Sequence, residues 1–463
     1  MITVTLDDSS GQPLYEQLYR HIRQGIEAGT FRAGDRLPSK RKIAEHLRVS
    51  LRTVENAYAQ LAVEGYVEAI EKKAYYVRQV DWIAEETAQQ STGDIRSKNP
   101  EKPRYRFDLK TNRIHAEDFP FSIWTRLMRE NLRNEISTLL EPTHPQGDWP
   151  LRQEIARYLQ QFRGMSVDAE QIVLGAGTEY LLGLVAELLP GSVFALENPN
   201  YSKPAKVLRS RGIPFVSIAM NEEGLSMNGL AGSPASVVLC APSHHFPLGT
   251  VMTISRRMQL LHWASERQGR YLIEDDYDSE FRFSLKPVPA LQGLDRSDKV
   301  IYLNTFTRTL APSLRIAYLV LPRPLLEEYR SRLAFYASTV SQFEQGTLQK
   351  FIQGGFYERH LNRIRNIYRS RRDILLGELS ALSDSISIAG QDAGLHLLVT
   401  ADNGLTDSDL VARAAEKGVR VYALSGYYIE APPATSTVVI GYAGFDEEAL
   451  RHAARLLVEA WQD

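Results

Sequence analysis

Four short stretches of this chain carry side chains that could act together on one small ligand. In LIEDDYDSEF an apolar run ends at Asp275 and Tyr277. The space just past the carboxyl end of a buried strand is where open α/β sheets bind ligands. A carboxylate there could hold a pyridinium N–H, and a phenol two residues on could reach a ring oxygen; a solvated acidic turn is the plainer alternative. LGAGTEYLL reads as a strand-to-helix turn whose backbone N–H groups at Gly177, Thr178 and Glu179 could cradle a phosphate. Glycines at such turns can equally serve geometry alone. NPNYSKPAK offers the face of Tyr201 for stacking and Lys203 as a cation beside it, unless it is only a surface loop. TFTRTLAPSLR follows the strand-like KVIYLN and offers Thr305, Thr307 and Arg315 as further phosphate ligands. Arg308 sits in the middle of that loop, which contains no lysine.

Placing these groups requires a sheet. From about residue 107, runs such as QIVLGAG, SVFALENP, SVVLCAPS, RYLIEDDY and KVIYLNTF alternate with helical patterns. Buried strands separated by helices predict an α/β body, with a mixed, mostly parallel sheet flanked by helices. A smaller α+β subdomain is expected from about residue 370 to 463. Residues 81–106 are polar and charged with few apolar anchors, and read as a linker.

Residues 1–80 form a different kind of unit. In PLYEQLYRHIRQGIEAGTF, Leu14, Leu18, Ile22 and Ile26 share a helical face, with Pro13 suited to the first turn and Gly29 to the stop. Ser39 is placed to cap a second helix with Ile43, Ala44 and Leu47 inward, and Ser50 a third with Val54, Ala57, Tyr58 and Leu61 inward. The tight LRVS joint between them predicts helix-turn-helix geometry. Arg52, Thr53 and Asn56 open the polar face of the third helix, where a recognition helix reaches base edges. Between residues 32 and 52, seven basic side chains, Arg36, Lys40 and Arg41 among them, oppose only Asp35 and Glu45. That local patch suits the phosphates of a double-stranded operator, with Ser39 and Ser50 beside it. YVEAIEKKAYYVRQV then reads as a two-stranded wing with Lys72 and Lys73 at its tip. The alternative is a three-helix dimerisation module.

Composition adds limits. With 463 residues, 43% apolar and 24% charged, the chain is long enough for two or three domains with a large core. Its net charge of −2 gives no global field toward nucleic acid or membrane, so basic surface must be local. The one cysteine, Cys240, excludes an intramolecular disulfide, fits a reducing cytoplasm and, within VVLCAPS, reads as a buried small hydrophobe. The polar, acidic MITVTLDDSSGQPLYEQ predicts no signal peptide. The longest apolar stretch is broken by Glu187 and Pro190, so no membrane span is expected. No metal site is expected either.

The stretch LPSKRKIAEHLRVSLRTVENAYAQL resembles the winged helix-turn-helix of GntR-type bacterial transcription regulators. It departs from their usual pattern at Leu51, where a basic residue is common, and at KKAYY, where a glycine-containing wing tip is common. HPQGDWPLRQEIARYL, APSHHFPLG, EDDYDSEFR, PALQGLD, TFTRTLAPSLRIAYLVLP and GLHLLV resemble, in order, the fold-type I aminotransferase domain of the MocR-type subgroup. The resemblance implies that Asp275 pairs with the pyridine nitrogen of pyridoxal 5′-phosphate, Tyr277 with its 3′-oxygen, and that Tyr201 stacks on the ring. Gly177, Thr178, Thr305 and Arg315 would hold the phosphate. The lysine that would bond the cofactor belongs in a TFSKTLAPSLR pattern, and its position here is Arg308.

A covalent link to the cofactor's aldehyde needs a neutral amine, which a lysine can be tuned to supply. An arginine side chain stays protonated and delocalised. The family's carboxylate-binding arginine is missing too: ATSTVVIGYAGF has Thr437 near the expected place. The expectation is therefore a cytoplasmic, homodimeric transcription regulator that binds DNA. Its body would sense a small molecule without transamination: pyridoxal 5′-phosphate held non-covalently, with Arg308 and Lys203 as cations for phosphate or carboxylate, or another effector. A purely structural body is a third possibility. The rival is a working pyridoxal-phosphate enzyme that carries a DNA-binding domain.

Overall fold

The computed structural model describes residues 2–70, 74–79, 105–134, 139–283, 288–430 and 432–462. The wing tip expected at Lys72 and Lys73 and nearly all of the expected linker lie outside the described residues. The chain divides into two compact units, Met1–Lys102 and Pro103–Asp463.

The first unit holds helices Leu14–Glu27, Lys40–Leu47 and Leu51–Val63, then antiparallel strands Val67–Ile70 and Ala74–Val77. The apolar spacing explains the packing. Leu18, Ile22, Ile43, Val54, Ala57, Tyr58 and Leu61 are all fully buried in one core. Arg48 takes a left-handed conformation, φ 54°, which ends the second helix and turns the chain into the third. The Tyr58 hydroxyl donates to the Pro38 carbonyl at 3.0 Å and so fixes the loop before the second helix. Ile2, 3% exposed, also joins this core, with Val4 and Leu6 packed beside it. Sequence reading gave these residues no place in the core, because three apolar residues among polar ones give no helical period.

The second unit is built on an eight-stranded mixed sheet. Its strand order is Ile172–Gly175, Ala317–Val320, Val300–Thr305, Tyr271–Asp275, Val237–Cys240, Phe194–Asn198, Phe215–Asn221, Gly224–Leu225. The five strands from Val300–Thr305 to Phe215–Asn221 run parallel, and Ala317–Val320 runs against both its neighbours. Four of these parallel strands are near-continuous apolar runs because helices cover both faces of the sheet. Cys240, 1% exposed, is one of their buried small side chains.

A four-stranded antiparallel sheet follows, ordered Ile386–Ala389, His396–Ala401, Thr437–Gly441, Tyr422–Ala423, with helices Phe356–Leu379, Asp407–Glu416 and Glu447–Trp461 beside it. Phe107–Asp108 pairs in parallel with Val419–Arg420, so the start of this unit is tied to its last third. Among the described residues no helix is long and apolar enough to cross a membrane, and no group of side chains could hold a metal ion.

Candidate functional sites

In the first unit, the polar start of helix Leu51–Val63 is fixed by its cap. The Ser50 hydroxyl accepts the Thr53 N–H at 3.0 Å and lies 2.8 Å from the Thr53 hydroxyl. Ser39 likewise accepts from Lys42 N–H at 3.4 Å. Both serines therefore hold helix starts, and Thr53, half-buried, is engaged with one of them. Arg52 and Asn56 are exposed, as are Arg36 and Arg41. Lys40 pairs with Glu55 at 3.2 Å and lies 5.8 Å from the centre of the Tyr75 ring, which joins the second helix to the third and to the wing. Leu51 is 41% exposed, an apolar side chain on the face that would meet a base edge.

The second unit has a pocket past the carboxyl ends of its parallel strands. About 900 Å³ of empty space, the open mouth included, is lined by Thr178, Tyr201, Lys203, Asp275, Tyr277, Thr305, Thr307, Arg308 and Arg315, among others. Ten of the eleven residues expected around a ligand in the body, Glu179 among them, are thus brought together. Gly177 is the exception. Its N–H donates to the Gly175 carbonyl at 2.8 Å and is not free for a ligand. At φ 98° this residue serves the turn, and a Cβ there would collide with Arg315 Nη2, so its lack of a side chain makes room for that arginine.

Strand alternation explains how Asp275 faces the pocket while its neighbours do not. Glu274, behind it, accepts the N–H groups of Leu291 and Gln292 at 2.7 and 2.8 Å. Asp276 pairs with buried Arg163 at 2.8 Å and accepts the Tyr302 hydroxyl at 2.6 Å. These contacts anchor the turn that carries Asp275 and Tyr277. Asp275 Oδ1 itself is buried with no hydrogen-bond partner. Burial, then the carboxylates of Asp276 and Asp278, push its pKa up to about 7, and the Arg308 charge tempers the rise.

Arg308 extends across the pocket. It donates through Nη1 to the Thr111 carbonyl, and its guanidinium lies 5.6 Å from the centre of the Tyr277 ring. The Tyr277 hydroxyl lies 3.3 Å from His244 Nδ1, and that nitrogen is 2.8 Å from Asp278 Oδ2. Tyr201 sits at the start of helix Ser202–Ser210, with the Phe246 ring perpendicular to its own at 6.1 Å. Thr305 Oγ1 donates toward Thr307 Oγ1 at 2.7 Å and accepts the Thr307 N–H at 3.1 Å. Thr437 is buried, hydroxyl to hydroxyl with Thr400 at 2.8 Å, and is absent from the pocket lining.

The cations at the other end share one anion. Glu179 accepts from Lys203 through Oε1 and from Arg315 Nη2 through Oε2, the latter at 2.5 Å. Burial works against its charge, but hydrogen bonds from Lys203, Arg315 and its own backbone N–H hold its carboxyl at about 2. Lys203 is the one lysine among the described residues that line the pocket. Burial opposes its charge as well, yet its bonds with Glu179 and Tyr201 raise its pKa above the usual value. The Glu179 side chain and His244 were missed by sequence reading. An acidic residue in a helix's first turn is ordinary, as it complements the helix dipole, and the His244–His245 pair follows a strand with no spacing that announces a role.

A family model for class I and II aminotransferases matches residues 109–457, and one for the gntR family of bacterial regulatory proteins matches residues 14–77. The Bacillus subtilis protein named uncharacterized HTH-type transcriptional regulator YdeL is 37% identical over 463 residues, covering 100% of this chain and 99% of its own. The probable rhizopine catabolism regulatory protein MocR of Rhizobium meliloti is 32% identical, with 99% and 96% covered. Among solved structures, the multiple substrate aminotransferase of Thermococcus profundus superposes with a TM-score of 0.69 at 24% identity, over 78% of this chain and 92% of that one. That likeness gives the fold of the body, a fold whose members in general use pyridoxal phosphate. The two matched segments and the full-length relatives agree with each other and with the geometry of both units. The chain belongs to the gntR family of bacterial regulatory proteins, among the MocR-type transcription regulators in which a helix-turn-helix head precedes a class I and II aminotransferase domain.

Proposed function

We propose that the body binds pyridoxal 5′-phosphate, or a related B6 vitamer, without a covalent bond, and that its occupancy governs how a homodimer holds a double-stranded operator. The observation that carries this reading is Arg308, a cation that crosses the ring pocket between Tyr277 and the Thr111 carbonyl where a reactive amine would be required.

The residues present fit the vitamer. Asp275 offers a buried, unpartnered oxygen for a ring N–H, and Tyr277 offers a phenol beside it. Tyr201 supplies a flat face, and Thr178, Thr305, Thr307 and Arg315 supply donors for a phosphate. Bound in an aminotransferase, this group supplies an electron-withdrawing ring. Here the chain's own groups bind and orient. A cationic ring N–H beside Asp275 would offset the neighbouring carboxylates and favour its charged form, so the site suits a basic heterocycle. Arg308 supplies positive charge for a phosphate or carboxylate, and an arginine side chain has no neutral amine to offer at working pH. Lys203 pairs with Glu179 and is held protonated, so it is a cation for an effector and a poor nucleophile.

In the head, Arg52 and Asn56 would read base edges, while Arg36, Lys40 and Arg41 hold phosphates. A homodimer would offer two heads to paired half-sites. A reducing compartment such as the cytoplasm suits the buried, unpaired Cys240. The test is to mix the protein with pyridoxal 5′-phosphate and amino acids and follow pyridoxamine phosphate. We expect none, and steady turnover would overturn the reading.

A further inference from the structure

Glu179 stands where the pocket gathers its anion-binding groups. It lies in the first turn of helix Thr178–Leu188, folds back onto its own N–H, and bridges Arg315 and Lys203. The bridge is close: both carboxylate oxygens are used, one per cation. The missing side chain of Gly177 leaves the gap into which Arg315 Nη2 and Glu179 Oε2 fit. Arg315 reaches it from an uncommon left-handed backbone, φ 53°. A helix N-terminus and two cations converging on one point form an anion site, and the anion in it belongs to the chain.

We infer that Glu179 is an internal competitor for the ligand's phosphate, which sets the pocket's selectivity by admitting a dianionic phosphate and turning away weaker anions. This rests on, and deepens, the small-molecule reading above. A phosphate monoester carries up to two charges and three acceptor oxygens at neutral pH, against one charge and two oxygens for the carboxylate. It can therefore replace Glu179 at Arg315 and the helix terminus, where a monoanion gains nothing over the residue already there. The displaced side chain has somewhere to go. Glu179 is 27% exposed and Lys203 42% exposed, so the pair can turn toward solvent together. Phosphate binding is thereby coupled to movement of Lys203, which lies beside the ring of Tyr201, its ammonium 5.6 Å from the ring centre.

The test is titration calorimetry of the full chain and its Glu179→Gln variant with pyridoxal 5′-phosphate, pyridoxal and inorganic phosphate. Removing the competitor's charge is expected to tighten pyridoxal 5′-phosphate and inorganic phosphate by about tenfold, the scale of a part-exposed ion pair with two partners, and to leave pyridoxal unchanged. Glu179→Ala, which also removes the charge, must agree in direction, with far-UV circular dichroism to show that both variants fold. Equal or weaker phosphate binding in the variants overturns the inference. If neither protein binds either vitamer, yet Glu179→Gln binds inorganic phosphate more tightly, Glu179 still acts as the competitor and it is the vitamer reading that falls.

Discussion

Arg308 holds its guanidinium 5.6 Å from the centre of the Tyr277 ring, in the pocket that Asp275 also lines. A cation at this distance from an aromatic face is attracted by it, and the same charge draws down the pKa of Asp275. The two groups expected to handle a heterocycle, Asp275 and Tyr277, are thus already coupled to Arg308, the cation expected for a phosphate or carboxylate, before any ligand arrives.

If only the missing amine separates this pocket from a covalent one, Arg308→Lys should restore the bond. We expect the variant, mixed with pyridoxal 5′-phosphate and reduced with borohydride, to gain one cofactor mass that the wild type does not gain. A variant that stays unmodified, though folded, would mean that the position is not where the aldehyde lies.

Asp275 should weaken the ligand-free fold in a pH-dependent way. A carboxyl whose native pKa is raised contributes no penalty below its unfolded value of about 4 and a full one above its native value. With the native value at about 7, the penalty grows between those limits. Asp275→Asn is therefore expected to raise stability against unfolding by up to about 4 kcal/mol at pH 8, and by roughly a third of that at pH 5. Urea titrations at the two pH values check this; equal effects at both would contradict the assigned cause, burial beside Asp276 and Asp278.

Much of this was readable from the chain. Asp275 and Tyr277 end an apolar strand, and Thr305 and Arg315 bracket a loop after another, so the sheet itself predicted that they would meet. What sequence could not supply was contact between groups whose types have common duties elsewhere. Glu179 looked like a helix-start acid, His244 like one of two histidines in a turn, and Gly177 like a donor when its N–H is in fact spent on Gly175. The Glu179 and His244 contacts join side chains 24 to 136 residues apart, beyond any local pattern, and no local pattern encodes which way the Gly177 turn aims its N–H. The caps at Ser39 and Ser50 were legible for the opposite reason, since capping acts within three residues.

Ser50 offers a local test of the head. Replacing it with alanine removes the acceptor for Thr53 N–H and is expected to cost about 1 kcal/mol of local stability. Hydrogen exchange in the full chain should then show amides at the start of helix Leu51–Val63 exchanging about fivefold faster. Unchanged exchange there would mean that the cap is replaced by water.

Arg52→Ala separates reading from grip. If Arg52 contacts a base edge, the loss should be about 1–3 kcal/mol on the operator and small on unrelated duplex DNA. Equal weakening on both, with a shallower salt dependence, would assign it to a phosphate instead.

The central claim is that the body binds the vitamer and forms no bond to it. Titration calorimetry of the wild type with pyridoxal 5′-phosphate, followed by borohydride reduction and intact mass on the same sample, tests both halves at once. We expect a saturable heat and an unchanged mass; a mass gain of one cofactor on the wild type, at Lys203 or any other lysine, would contradict it, as would a flat heat trace.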